Sequence, residues 1–143
     1  MKEDCMHLFV YGSLRSGFSN SAYQYISDYF DLIAIASAKG VLYEKDRVPV
    51  AVPTNDDSYI VGELYRIKNS DEFTWAIAQL DDYEGIHPDE DEVCYYRRDK
   101  TTIKIGEALI PAWVYWYCGD TTGLSTIPSG DVLTYINQQK TKE

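Results

Sequence analysis

Apolar and polar residues alternate or cluster over short distances along most of this chain, in the manner of β-strands. Such runs predict strands where they are rich in β-branched and aromatic residues and end at turn residues. One of these turns is the polar segment 53–57, PTNDD. The predicted strands are Met6–Tyr11, Ile33–Tyr43, Val48–Val52, Tyr59–Ile67, Cys94–Ile105 and Ala108–Cys118.

Helical spacing of apolar residues is clearest over Asp71–Tyr83. The stripe consists of Phe73, Ala76, Ile77, Leu80 and Tyr83. Asn69 is placed to cap this helix, with Glu72 three residues on as in a capping box. Shorter helices are predicted over Asn20–Tyr29 and Val132–Gln139. Because strands outnumber helices and are not separated by regular crossovers, the pattern favours an α+β fold or a mixed barrel over a doubly wound sheet.

Length, charge and cysteine content narrow the class of protein. The 143 residues fit a single domain over 1–143, and 23 acidic against 13 basic side chains give a formal charge of −10. Such a surface repels phosphate backbones and anionic membranes, so neither is an expected partner. With no long apolar run and no signal-peptide core at the N-terminus, the expected location is cytoplasmic. Cys5, Cys94 and Cys118 show no CxxC pairing and are expected to be buried small apolar residues.

The stretch VYGSLRSGFS, residues 10–19, follows the first predicted strand and raises three kinds of chemistry. Gly12 and Gly17 have the spacing of a phosphate-binding loop, but Phe18 stands where that loop needs its lysine. A serine hydrolase with Ser13 as its nucleophile is also disfavoured. Ser13 is not in a GxSxG elbow, and the two histidines that could act as its base, His7 and His87, fall in a strand and in an acidic loop. What remains is a sharp turn whose amide groups can hold a carboxylate or carbonyl, or an ordinary turn that ends a strand.

A second stretch, Leu80–Gly85, ends the clearest helix with three carboxylates: Asp81, Asp82 and Glu84. The helix macrodipole disfavours negative charge there, and no Lys or Arg stands nearby in sequence. Such a setting raises the pKa of a carboxylate, which suits a general base that works near neutral pH. The alternative is that all three carboxylates face water at little cost.

Together these stretches resemble the gamma-glutamylcyclotransferase-like family, which includes the AIG2-like proteins and the gamma-glutamylamine cyclotransferases. The matching segments, in family order, are Phe9–Gly17, Val61–Tyr65, Leu80–Gly85, Tyr95–Arg98 and Ala112–Tyr115. The fold that this resemblance implies is a small mixed β-barrel with flanking helices, in agreement with the strand-rich pattern.

The resemblance also implies a reaction and its site. Tyr11, Gly12, Ser13 and Leu14 would line the substrate pocket, chiefly through backbone groups, and Glu84 would be the general acid/base. The implied reaction is the cleavage of a γ-glutamyl amide, in which its own α-amine attacks the γ-carbonyl and 5-oxoproline is released. Neither a metal nor a cofactor is expected.

Three further expectations stay open at this point. The same fold could instead hold a small carboxylate or amide without turnover. The aromatic late strands could form an interface with another protein, although packing in the barrel wall is the favoured explanation. If the acidic insert His87–Glu92, which contains Asp89–Glu92, lines the entrance to the pocket, it would repel anionic substrates such as glutathione and tolerate a cationic leaving group.

Overall fold

The computed structural model describes residues 5–11, 21–45, 48–84, 96–127 and 130–132. Its elements are β1 His7–Val10, α1 Ser21–Tyr29, β2 Phe30–Lys45, β3 Val48–Pro53, β4 Tyr59–Ile67, α2 Phe73–Glu84, β5 Tyr96–Ile105, β6 Ala108–Tyr117 and β7 Ser125–Thr126. Each predicted strand is present, with ends that differ by a few residues. The described part of the predicted C-terminal helix is Val132 alone, and the rest of it lies outside the described residues.

Five strands form a closed barrel in the order β2-β4-β1-β6-β5, and pairing between β2 and β5 closes it. The pair β1–β6 is parallel, whereas the other pairs in the ring are antiparallel. The strand β2 continues past the ring, where it pairs with β3 and β7. The prediction of an α+β fold built on a small mixed barrel with flanking helices is therefore confirmed.

The core has two parts because both faces of β1 are buried. Phe9 belongs to the cluster that fills the barrel, together with residues of β2, β4, β5 and β6. Leu8 and Val10 point to the opposite face, as the period of two in a strand requires, and pack with residues of α1 and α2. A strand covered on both sides reads as a continuous apolar run, which explains the sequence HLFV.

The helix α2 covers the outer face of the barrel with its apolar stripe. Phe73, Ala76, Ile77 and Leu80 are all buried. Asn69 caps its start as predicted, since its side-chain oxygen accepts a 3.0 Å hydrogen bond from the amide of Asp71. The segment Ser70–Glu72 is a 3-10 helix, so the α-helix begins at Phe73, two residues after the predicted start at Asp71.

The expectation that the cysteines are buried is confirmed for one of them and wrong for another. Cys5 is buried as expected, but Cys118 is exposed, because it follows the last residue of β6. Cys94 lies outside the described residues. Across the described ranges, no helix is long and apolar enough to cross a membrane.

Candidate active site

Tyr11 directly follows β1 and is the one described residue of the four that are predicted to line the substrate pocket. Its ring is buried against Trp116, with the two ring centres 6.2 Å apart. Its hydroxyl donates a 2.6 Å hydrogen bond to the main-chain carbonyl of Tyr115. These two contacts with β6 fix the position of Tyr11, from which the chain continues into residues 12–14. Gly12, Ser13 and Leu14 lie outside the described residues.

The second predicted half of the site is the end of α2. Glu84 is the last residue of this helix, and its side chain lies outside the described part of the structure. Asp81 precedes it by three residues and has only 5% of its side chain exposed. Along α2, Glu84 follows Leu80 by four residues and Asp81 by three.

The carboxylate of Asp81 is held from two neighbouring strands. Arg98 of β5 donates to both of its oxygens, from Nε at 2.7 Å and from a terminal nitrogen at 3.0 Å. Tyr115 of β6 donates its hydroxyl to Oδ1 at 2.8 Å. Arg98 and Tyr115 are direct partners across the β5–β6 pair, so they present their side chains on the same face.

Tyr115 joins the two predicted halves of the site. Its carbonyl accepts the hydroxyl of Tyr11, and its own hydroxyl donates to Asp81. One residue of β6 thus connects the end of β1 to the end of α2. A chain of hydrogen bonds runs from the residue before the Gly12 loop to the last turn of the helix that ends at Glu84.

Two carboxylates are buried within the described residues: Asp81, which the sequence presents only as one of three at the helix end, and Glu63, to which it assigns no role. Glu63 stands on β4 opposite Val10 and accepts a 3.0 Å hydrogen bond from the hydroxyl of Tyr65. The alternative in which all three helix-end carboxylates face water is wrong for Asp81, whereas Asp82 is exposed. A signal was present in the sequence, because Asp81 lies four residues after Ile77 and so falls beside the apolar stripe.

The late strands contribute to this site from within the barrel wall. Tyr115, Trp116 and Tyr117 are buried, so the expectation that they pack in the wall is confirmed for them. The guanidinium of Arg98 lies 4.4 Å from the ring centre of Trp113, which also fixes the position of that side chain. Nowhere in the described part of the chain do three His, Cys, Asp or Glu side chains group as metal ligands would.

Comparisons with known proteins agree with this architecture. The family model "Gamma-glutamyl cyclotransferase, AIG2-like" matches residues 8–134. Protein MJ1514 of Methanocaldococcus jannaschii, whose name assigns it provisionally to the gamma-glutamylcyclotransferases, is 35% identical over 130 residues, which cover 90% of this chain and 97% of MJ1514. The gamma-glutamylcyclotransferase family protein YtfP of Escherichia coli K12 is 33% identical over 128 residues, which cover 90% of this chain and 96% of YtfP.

Solved structures share the fold. The solution NMR structure of Escherichia coli YtfP matches with a TM-score of 0.56 and 32% identity, over 92% of this chain and 99% of that chain. The crystal structure of an AIG2-like protein from Mus musculus matches with a TM-score of 0.61 over 91% of this chain and 95% of that chain. At 16% identity, this second likeness concerns the fold alone.

Proposed function

The chain belongs to the gamma-glutamyl cyclotransferase, AIG2-like family, and we propose that it cleaves a γ-glutamyl amide by internal cyclisation. The products are 5-oxoproline and the amine or amino acid that the amide carried. Family membership supports a cyclotransferase activity in general. The choice of substrate and the roles of individual residues below belong to the proposal.

The observation that carries this proposal is the double contact of Tyr115 with Tyr11 and Asp81. The loop at 12–14 and the helix end at Glu84 are about seventy residues apart in sequence, yet Tyr11, just before the loop, and Asp81, in the last turn of the helix, both contact Tyr115. In an intramolecular reaction, correct positioning of the reacting groups can supply much of the rate. A connection between the two predicted halves of the site is therefore what such a reaction requires.

The chemistry assigns one role to each half of the site. Glu84 takes a proton from the α-ammonium of the substrate, and the freed amine attacks the γ-carbonyl carbon to form a five-membered ring. Backbone amides of Gly12, Ser13 and Leu14 stabilise the negative oxygen that develops on that carbon. Glu84 passes one proton from the attacking nitrogen to the departing one, and the bond to the departing nitrogen breaks as that proton arrives. A second proton from the attacking nitrogen converts the released amine to an ammonium.

The test measures 5-oxoproline release from a panel of γ-glutamyl amides by the wild type, Glu84→Gln and Asp82→Asn. The panel holds γ-glutamyl amino acids, γ-glutamyl-ε-lysine, γ-glutamyl amines and glutathione, so that it spans anionic and cationic leaving groups. We expect Glu84→Gln to lower kcat about 10²–10⁴-fold, the usual contribution of a general acid/base. Asp82→Asn is the matched control, because Asp82 is exposed on the same helix turn, and its kcat should stay within about two-fold.

Two results would contradict the proposal. Folded wild type that releases no 5-oxoproline from any amide, while it binds small carboxylates as well as Glu84→Gln does, would identify a binding module on this fold. Equal turnover by wild type and Glu84→Gln would mean that the reaction occurs but that Glu84 is not its general acid/base. A preference within the panel for cationic leaving groups would support the expectation drawn from Asp89–Glu92, which lies outside the described residues.

A further inference from the structure

We infer that Asp81 is a positioning residue: held by Arg98 and Tyr115, it fixes the last turn of α2, the turn that carries Glu84. This inference rests on the proposed function, in which Glu84 moves the protons. Asp81, Arg98 and Tyr115 contact no reacting atom in the proposed mechanism, and in this inference they affect the rate only through the position of Glu84.

The ion pair between Asp81 and Arg98 fixes the orientation of the Asp81 carboxylate. Asp81 is almost fully buried, and its partner Arg98 has 22% of its side chain exposed. Two parallel hydrogen bonds from one guanidinium set both the position and the plane of the carboxylate, which a single contact would not do. The hydroxyl of Tyr115 adds a third bond from a second strand, so the side chain is fixed in three dimensions.

Stability alone does not explain this pair. Burying two charges costs free energy that their attraction often fails to return, and well-packed apolar residues in their place are often as stabilising or more so. The pair does supply a defined geometry at a helix end. Such an end otherwise tends to fray, because its last carbonyl groups lack partners within the helix.

The distance from the anchor to the proposed base is short. Three residues along a helix correspond to a rise of about 4.5 Å, and they share one face. A shift of the last turn by about 1 Å would move the base out of reach of its proton, and displacements of that size can lower a rate about 10²-fold.

The anchor is also tied to the other half of the site. The guanidinium of Arg98 lies over Trp113 of β6, and Tyr115 of the same strand holds Tyr11. Both β1 and α2 are therefore positioned relative to β6. We therefore expect a disturbance at Asp81 to shift the last turn of α2 relative to β6.

Two mild variants test this inference. Tyr115→Phe removes one hydroxyl and keeps both the ring and the carbonyl that accepts Tyr11. Arg98→Lys keeps the positive charge and loses the planar fork. We expect kcat to fall about 10- to 100-fold in each, with KM within about two-fold, because the lost interaction acts in the transition state.

Arg97→Lys is the matched control. Arg97 is the preceding residue on β5, and it pairs with Asp99 on the surface with about half of each side chain exposed. Its kcat should equal that of the wild type. Thermal unfolding of every variant, recorded alongside, establishes that it is folded at the assay temperature.

The pH profile of kcat/KM separates positioning from proton transfer. In Asp81→Asn we expect kcat/KM still to fall at acid pH, with a lower plateau at higher pH, because Glu84 remains the proton acceptor. If the fall at acid pH is lost in this variant, Asp81 itself is the proton acceptor and the inference is overturned. If Tyr115→Phe and Arg98→Lys turn over like the wild type, the network is structural only and the inference fails, while the proposed function stands. A wild type that makes no 5-oxoproline would remove the proposed function, and this inference with it.

Discussion

Gly62 shows why a motif glycine stands beside the proposed site. A side chain at this position would collide with the carbonyl oxygen of Val10, and its Cβ would lie 2.6 Å from the Phe9 ring. No real Cβ tolerates such contacts, so β4 can approach the end of β1 only with glycine here. Gly62 therefore permits the close strand contact that leads into Tyr11.

Gly62→Ala should consequently destabilise the fold. We expect the free energy of unfolding to fall by about 1–3 kcal/mol, the usual cost of forcing extra atoms into a packed interior. Urea unfolding measures it, with the exposed Ser58→Ala as the control that should change stability by no more than about 0.5 kcal/mol. An equally stable Gly62→Ala would mean that β1 and β4 are not in this close contact.

Asp81 illustrates what spacing along one chain does not disclose. Helical periodicity puts it beside the buried stripe, but the cation that makes its burial tolerable is Arg98, 17 residues later and on a strand. Only the pairing of β5 with β6 brings that cation and Tyr115 together on one face. The resemblance to a known family, by contrast, supplied Glu84 and Tyr11–Leu14 as predictions that the described residues leave untested.

The two helices meet through an aromatic contact. Tyr25 of α1 donates its hydroxyl to the carbonyl of Ala76 in α2 at 3.1 Å, and Tyr29 lies between Tyr25 and Trp75, with ring centres 4.8 and 5.3 Å away. Burial, and secondarily the neighbouring Tyr29, raise the pKa of Tyr25 to about 12. The contact thus favours the neutral phenol.

This contact predicts a loss of stability at high pH. Above the ordinary tyrosine pKa of 10.0 the unfolded chain releases the Tyr25 proton while the folded chain keeps it. The stabilisation by Tyr25 is therefore complete below pH 10 and declines as pH rises toward 12. The difference in unfolding free energy between wild type and Tyr25→Phe, measured by urea unfolding across this range, should decrease. A difference that does not change with pH would show that Tyr25 titrates alike in both states.

Individual elements could be predicted from the sequence to different degrees. The bounds of β4 agree with the prediction, because polar turn residues precede and follow it. The strand β2 is longer than predicted at both ends, because it pairs first with β4 and then with β3, and a bulge between Leu32 and Ala34 interrupts its pattern. The two-residue β7 was not predicted, since its pairing with β2 defines it and its own sequence does not.

The barrel as a whole brings together groups that are distant in sequence. Periodicity favoured a mixed, strand-rich fold, but the parallel neighbourhood of β1 and β6 and the closure between β2 and β5 are tertiary facts that no local pattern contains. Resemblance to the family predicted the barrel, and the structure and the comparisons confirm it. The connection of both predicted site halves through Tyr115 follows from the position of β6 between β1 and β5.

The measurement that tests the central claim most directly is the fate of oxygen when a γ-glutamyl amide is turned over in water enriched in oxygen-18. If the substrate's own amine is the nucleophile, mass spectrometry will find 5-oxoproline without the heavy isotope, in amounts equal to the released amine. Free glutamate that carries one solvent oxygen would show that water attacks instead, and the chain would then be a hydrolase on this fold.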